Sequence, residues 1–143
     1  MEKGRLRTSE RDKAIVRRFF EEIWNDGNLE KANEMIDDGY RQTDFTTGHR
    51  RIVGPPILQH EVEAYRSVTD DLHFDVEELI AEGNKVVARW VATATLKDDD
   101  SSPLGSTRGV TINHIRGGKI AEIQLYSIGS MASTAWLPEV TFS

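Results

Sequence analysis

The chain contains no cysteine. That excludes a disulfide framework, a thiolate nucleophile and a thiolate metal site. It also lacks any apolar run of membrane-spanning length, and Met1-Glu2-Lys3-Gly4 has no apolar core of the kind that a signal peptide requires. The localisation expected from this is cytoplasmic, with no membrane partner. Basic charge is short as well. With 18 Lys and Arg against 24 Asp and Glu, the net charge is −6. A general nucleic-acid binder rewards the opposite balance, so no nucleic-acid partner is expected. Proline is scarce, 4 residues in 143, and the pair Pro55-Pro56 stands where it opens a helix.

What remains is the composition of an ordinary globular domain, 38% hydrophobic and 29% charged. The length fits a single domain, residues 1–143, with 1–8 and 138–143 expected to lie outside its ordered part. There is no internal repeat. Ser9 with Asp12 three residues on reads as a capping pair at the start of a first helix. Its apolar stripe is Ile15, Val16, Phe19, Phe20, Ile23 and Trp24. Asn25-Asp26-Gly27 stops it. A second helix runs from Leu29 to about Ile36, capped by Asn28. Tyr40 to Phe45 alternates as a short strand, and Thr46 to Arg51 reads as a loop. The third helix, from Pro55, buries Ile57, Leu58, Val62 and Tyr65.

From Leu72 the apolar period switches to two, which predicts strands at 72–80 and 85–96. An acidic loop at 97–103 leads to a long hairpin, Gly109 to Ser127, about Gly117-Gly118. The tail from Gly129 carries Met131, Trp136 and Leu137, too apolar to float free. Helices in a block followed by strands in a block predict an α+β fold. The expected architecture is a curved antiparallel β-sheet with about three N-terminal helices on its concave side, forming a cone with a central cavity.

Three stretches in this order carry a resemblance: Phe19-Phe20-Glu21-Glu22-Ile23-Trp24-Asn25-Asp26-Gly27-Asn28-Leu29, Ile80-Ala81-Glu82-Gly83-Asn84-Lys85-Val86-Val87-Ala88-Arg89-Trp90, and Gly117-Gly118-Lys119-Ile120-Ala121-Glu122. Together they resemble the SnoaL-like polyketide cyclases of the nuclear transport factor 2-like superfamily, which share the ketosteroid isomerase-like fold. That fold hosts isomerases, cyclases, epoxide hydrolases, dehydratases and binding modules. The resemblance implies specific positions. The isomerase's general base falls on Asp44. The cyclases' aspartate on the last strand falls on Leu125, so that acid is absent. The isomerase's protonated pocket acid falls near Thr111, and its first-helix tyrosine near Phe20. The epoxide hydrolases' acid–arginine–acid trio falls on Ala92, Ala94 and Leu125, which cannot supply it. The superfamily's sheet-mediated dimers imply a homodimer through the outer sheet face.

Hairpin register decides which side chains line the cavity. A bare two-residue turn at Gly117-Gly118 puts Thr111 and Asn113 on a face with Glu122, Gln124 and Tyr126. A bulged loop puts them with Ile123, Leu125 and Ser127 instead, and the resemblance favours this second register. Val110, Ile112, His114, Glu122, Gln124 and Tyr126 then face outward.

The candidate site follows. Asp44 shares a strand face with Tyr40 and Gln42 and is the candidate general base, because an apolar cavity raises the pKa of a carboxyl group. Its structural alternative is a turn carboxylate capping backbone groups near Thr46-Thr47-Gly48. Asn113 and Thr111 are candidates to hold a developing oxyanion. Phe20, Trp24, Tyr40 and Trp90 are candidates for an aromatic cage around a flat substrate, or for ordinary core. Gln42, Glu61, Tyr65, Ile123, Leu125 and Ser127 complete the candidate lining. His49, His60 and His73 read as solvent-facing, with no ligand spacing, so neither metal nor cofactor is expected. Two functions fit. One is a cofactor-independent cyclase or isomerase that moves protons on an apolar, carbonyl-bearing small molecule. The other is a non-catalytic module that binds a small apolar ligand or a protein partner.

Overall fold

The computed structural model describes residues 2–52, 54–97 and 103–129. The tail residues Met131, Trp136 and Leu137, most of the acidic loop and the end at 138–143 lie outside the described residues.

The first helix, α1, spans Glu2–Arg18 and continues as a π-helix over Phe19–Asn25. Ser9 and Asp12 therefore lie inside the helix and do not cap its start. In the π-helical part the amide of Asp26 donates to the carbonyl of Glu21, five residues back, at 3.0 Å. The wider turn lets Phe19, Phe20, Ile23 and Trp24 all bury together. A short 3₁₀ turn, Leu29–Lys31, leads into α2, Ala32–Met35, and α3 spans Pro55–Val68.

Six strands follow the period-two pattern: β1 Ile36–Asp44, β2 His49–Ile52, β3 Thr69–Glu82, β4 Lys85–Leu96, β5 Pro103–Arg116 and β6 Lys119–Gly129. They form one sheet in the order β2-β1-β6-β5-β4-β3. The fold is α+β, as expected, with two differences in the sheet. β2 occupies part of the stretch read as a loop. It is a four-residue edge strand held to β1 by a turn in which the Gly48 amide donates to the Asp44 carbonyl at 2.7 Å. Gly48 adopts a φ of +82°, which suits only glycine well. The second difference is that β1 pairs with β6 in parallel, while the remaining pairs are antiparallel. α3 and the four intervening strands supply the long crossover that a parallel neighbour needs.

The hairpin combines features of both registers considered. Gly117 and Gly118, at φ +59° and +78°, make a two-residue turn closed by the pair Arg116–Lys119. A bulge then falls at Ala121, because His114 pairs with Glu122 while Ile115 pairs with Ile120. Beyond it Asn113 faces Ile123 and Thr111 faces Leu125, the facing expected of the bulged hairpin.

The buried stripe of α1 packs against β3, β4 and β6. Its aromatic residues meet those of the sheet. Phe74 lies 5.0 Å from Trp24, 5.6 Å from Phe20 and 5.1 Å from Trp90, centroid to centroid. The Asn25 side chain ties this end down by donating to the Phe74 carbonyl at 2.9 Å and accepting from its amide at 2.7 Å.

The helical layer is also clipped electrostatically. Glu22 accepts from Arg18 on its own helix and from Lys31 beyond the connection. Those hydrogen bonds pull its carboxyl down to about 2 from an ordinary 4.5. A depressed carboxylate contributes stability above its unfolded value and loses it as pH falls through the folded one. The clip should therefore fade between pH 4.5 and about 2. Because Arg18 and Lys31 are well exposed, screening leaves a contribution of about 1 kcal/mol. Glu22→Gln is expected to lower the melting temperature by roughly 3 °C near neutral pH. Melts repeated toward acid should show the variant and the parent converging.

Candidate functional site

The concave face is assembled rung by rung across the sheet. Ala88 of β4, Thr111 of β5, Leu125 of β6 and Asp44 of β1 are successive neighbours on one rung. The next rung is Val86, Asn113, Ile123 and Gln42. On the other side of the first rung lie Trp90, Gly109 and Ser127. Strands lie about 4.8 Å apart, so Asp44 and Thr111 stand roughly 10 Å apart at the backbone, across Leu125.

Asp44 is half-buried, and its Oδ1 accepts the amides of Thr46 at 2.8 Å and Thr47 at 3.3 Å. It thus performs the turn-capping role considered for it while standing on the inner face. Gln42 reaches back along the strand and donates to the Tyr40 hydroxyl at 3.2 Å. Tyr40 is fully buried. Ser127 is held through its backbone, its amide donating to the Thr46 hydroxyl at 2.9 Å.

Asn113 is 0% exposed. Its Nδ2 donates to the Val86 carbonyl at 3.0 Å, to the Thr111 hydroxyl at 3.3 Å and to the Thr111 carbonyl at 3.4 Å. The amide N–H donors are thus spent on the sheet. Thr111, whose oxygen accepts from Asn113, keeps its own O–H as a donor. Two buried atoms on this face have no hydrogen-bond partner among the described residues, Asn113 Oδ1 and Trp90 Nε1. One is an acceptor and the other a donor.

The aromatic candidates pack on one another. Phe20 lies 5.5 Å from Phe19 and 6.3 Å from Trp90, and Trp24 meets Tyr65 edge-on at 5.6 Å. They form a continuous aromatic wall between helix and sheet. Glu61 and Tyr65 are half-buried on α3. His49, His60 and His73 are exposed, and His114 faces outward with its Nε2 3.1 Å from Gln124 Oε1.

A second carboxyl stands inside. Asp12 is 3% exposed and belongs to the buried stripe of α1, one turn before Val16. Burial pushes its carboxyl above the ordinary 3.8, against a weaker pull from neighbouring Arg11. Its spacing to Val16, Phe19, Phe20 and Ile23 is helical and visible in the sequence. Reading it as half of a cap hid that signal.

A model of the SnoaL-like domain matches residues 16–123. The chain belongs to the SnoaL-like domain family. Its structural relatives agree with this. A candidate polyketide cyclase from Acidithiobacillus ferrooxidans superposes with a TM-score of 0.70 at 26% identity, over 82% of this chain and 87% of that one. IdmH, a candidate polyketide cyclase from Streptomyces antibioticus, gives 0.68 at 19%, over 81% and 91%. A Catenulispora acidiphila protein with a ketosteroid isomerase-like fold, bound to trimethylamine, gives 0.67 at 17%, over 78% and 83%. No functionally curated protein matches. Within the SnoaL-like frame this chain has Leu125 on its last strand beside Asp44, and Asp12 is a buried carboxyl group on the first helix. No helix among the described residues is long and apolar enough to cross a membrane.

Proposed function

We propose that this SnoaL-like protein is a cofactor-independent cyclase or isomerase for an apolar, carbonyl-bearing small molecule, such as a polyketide or terpenoid intermediate. The observation that carries the reading is the rung Asp44–Leu125–Thr111. It sets a carboxyl group and a hydroxyl donor about 10 Å apart on a rung whose other members, Ala88 and Leu125, are apolar. That spacing suits a substrate lying over Leu125, with the carbon to be deprotonated toward Asp44 and the carbonyl toward Thr111.

Asp44 takes the proton next to the carbonyl. The electron pair of the broken C–H bond moves to the carbonyl oxygen, which the Thr111 O–H stabilises. Return of the proton to another carbon gives isomerisation, and attack of the enolate carbon on a second carbonyl gives ring closure. A positioned base contributes about 10²–10⁴-fold and an oxyanion donor about 10²–10³-fold. Asn113 holds Thr111 in place through its 3.3 Å hydrogen bond. Trp24, Trp90, Phe20 and Tyr40 bound the apolar space.

The same reading takes the convex face as a homodimer surface in a cytoplasmic protein. Phe45 and Tyr126 stack there at 5.0 Å, both exposed, and Ile128 is 82% exposed. A non-catalytic ligand-binding module is the second reading, favoured by Leu125 at the cyclases' acid position.

Asp44→Asn tests the first reading. Asparagine keeps the oxygen that accepts the Thr46 and Thr47 amides, so the turn and the melting temperature should survive. Exchange of the α-protons of 2-tetralone in D₂O, followed by NMR, should slow by about 10²-fold or more. Full exchange activity in that variant would dismiss Asp44 as the base. Wild-type exchange no faster than buffer would favour the binding module.

A further inference from the structure

We infer that the indole N–H of Trp90 is a ligand-binding donor, and that the ligand of the concave face carries a second acceptor oxygen about 7 Å from the carbonyl held at Thr111. The inference rests on the reading above only in taking the concave face as the ligand-binding face. It holds whether the ligand is turned over or merely bound.

Trp90 is 6% exposed, and its Nε1 is a buried donor with no hydrogen-bond partner among the described residues. Gly109 shows where that donor stands. A β-carbon on this glycine would lie 2.6 Å from Cε2 of the indole and closer still to Cζ2 and Cη2. The ring therefore reaches from β4 across β5, over Gly109. Nε1 is bonded to Cε2, so it lies no more than about 4 Å from the same point. The side chains flanking that point on the concave face are Thr107 and Thr111, two residues to either side on β5, and Ser127, opposite Gly109 on β6. Thr111 is the donor already assigned to a ligand carbonyl. Two residues of strand, about 7 Å, thus separate two donors on the same wall.

The neighbours of the indole N–H do not satisfy it. No hydrogen bond joins Nε1 to Thr107, Thr111 or Ser127. The rings packed on Trp90 are Phe20 and Phe74, whose faces are weak acceptors. The other partnerless atom, Asn113 Oδ1, is an acceptor, but its residue stands four positions from Gly109, about 13 Å along β5, and is out of reach. In a purely apolar role the N–H is a liability, because burial strips its water and returns nothing. An acceptor oxygen brought by the ligand removes that penalty. A site built in this way favours ligands that carry the oxygen over analogues that lack it.

Two saturated ketones test this on the whole protein. In trans-decalin-2,7-dione the carbonyl oxygens stand at about the required spacing, and trans-2-decalone lacks the second oxygen. The parent should bind the dione about tenfold more tightly than the monoketone, the effect of one buried hydrogen bond. Trp90→Phe removes the N–H and should bind the two within about twofold of each other. ¹⁵N–¹H spectra of the parent read the donor directly, without a variant. Of the three tryptophan indole resonances, that of Trp90 should move to lower field with the dione and stay in place with the monoketone. Equal affinity of the parent for the two ketones, or a Trp90 resonance indifferent to the dione, would overturn the proposal and leave the N–H to a water or to the Phe74 ring. Failure of the parent to bind either ketone would overturn it together with the ligand reading. None of these readouts depends on α-proton exchange, so Trp90 and the Asp44 mechanism fail separately.

Discussion

Gly109→Ala is expected to destabilise the protein by about 3 kcal/mol and to lower its melting temperature by roughly 10 °C. A β-carbon built at Gly109 would lie 2.2 Å from Cζ2, 2.4 Å from Cη2 and 2.6 Å from Cε2 of Trp90. These are atoms of the indole itself, the flat body of a buried side chain. Trp90 is wedged between Phe20 and Phe74, with ring centroids at 6.3 and 5.1 Å, so it cannot swing aside without displacing α1 and β3. Gly109 adopts no left-handed backbone conformation, and the need for glycine is one of space alone. Coupling to Trp90 follows. In a Trp90→Phe background the benzo ring of the indole is gone, and the same Gly109→Ala change should cost at least about 1 kcal/mol less. Urea unfolding of the four proteins in the cycle measures this. Strict additivity would show that the indole does not rest on Gly109. A misplaced Trp90 would also reshape the wall next to Ser127, so 2-tetralone binding should weaken in parallel.

That contact shows what the chain discloses and what it keeps back. The period-two runs and the helical stripe of α1 are local, and they place the α+β layers and the helix-covered concave face correctly. The inward facing of Thr111, Asn113, Ile123 and Leu125 was also legible, because the resemblance favours the register that brings these four together. The position of the bulge was not. Ala121 looks like any small strand residue, and the bulge shows only in the pairing of β5 with β6. The parallel pairing of β1 and β6 and the edge strand β2 are long-range or marginal features. His49–Ile52 has no strong alternation, and pairing with β1 makes it a strand. Gly109 reads as a weak residue in a strand until the indole opposite it is seen.

The site divides along the same line. Asp44 and Leu125 were singled out by the resemblance, alternation gave the faces that Asp44, Thr111, Asn113, Ile123 and Leu125 share, and the five are neighbours on the sheet. Which way a hydrogen bond points is not written in the alternation. Asn113 looked like an oxyanion donor, but its N–H groups go to Val86 and Thr111, and the free donor is the Thr111 hydroxyl. Asp12 was missed because Ser9 and Asp12 form a plausible cap pair. The helix in fact starts at Glu2, which leaves Asp12 in mid-helix on the apolar side.

The buried amide gives the sharpest check on this interior. Asn113→Asp changes one nitrogen to oxygen and hardly alters the shape, yet it is expected to cost about 3–5 kcal/mol near neutral pH. The new oxygen would face the Val86 carbonyl at 3.0 Å and the Thr111 carbonyl at 3.4 Å, acceptor against acceptor, at a site with no exposure. Ionised, it would be a charge with no partner. Protonated, it could satisfy only one of the acceptors that Nδ2 now serves. Its folded pKa should therefore lie above the ordinary aspartate value of about 3.9. The penalty is then smallest below that value and grows as pH rises through the folded one. Denaturant unfolding across the acid range should show a stability gap to the parent that widens with pH. An equal loss at all pH values would mean that packing, and not charge, is at fault. The ligand side is coupled to the same change. Today the amide donates to Thr111 and leaves its hydroxyl proton free. A carboxylate at position 113 would instead take that proton, turning the Thr111 O–H away from the ligand. At a pH where the variant remains folded, its affinity for 2-tetralone should fall about tenfold, the loss expected for one hydrogen bond within the apolar wall.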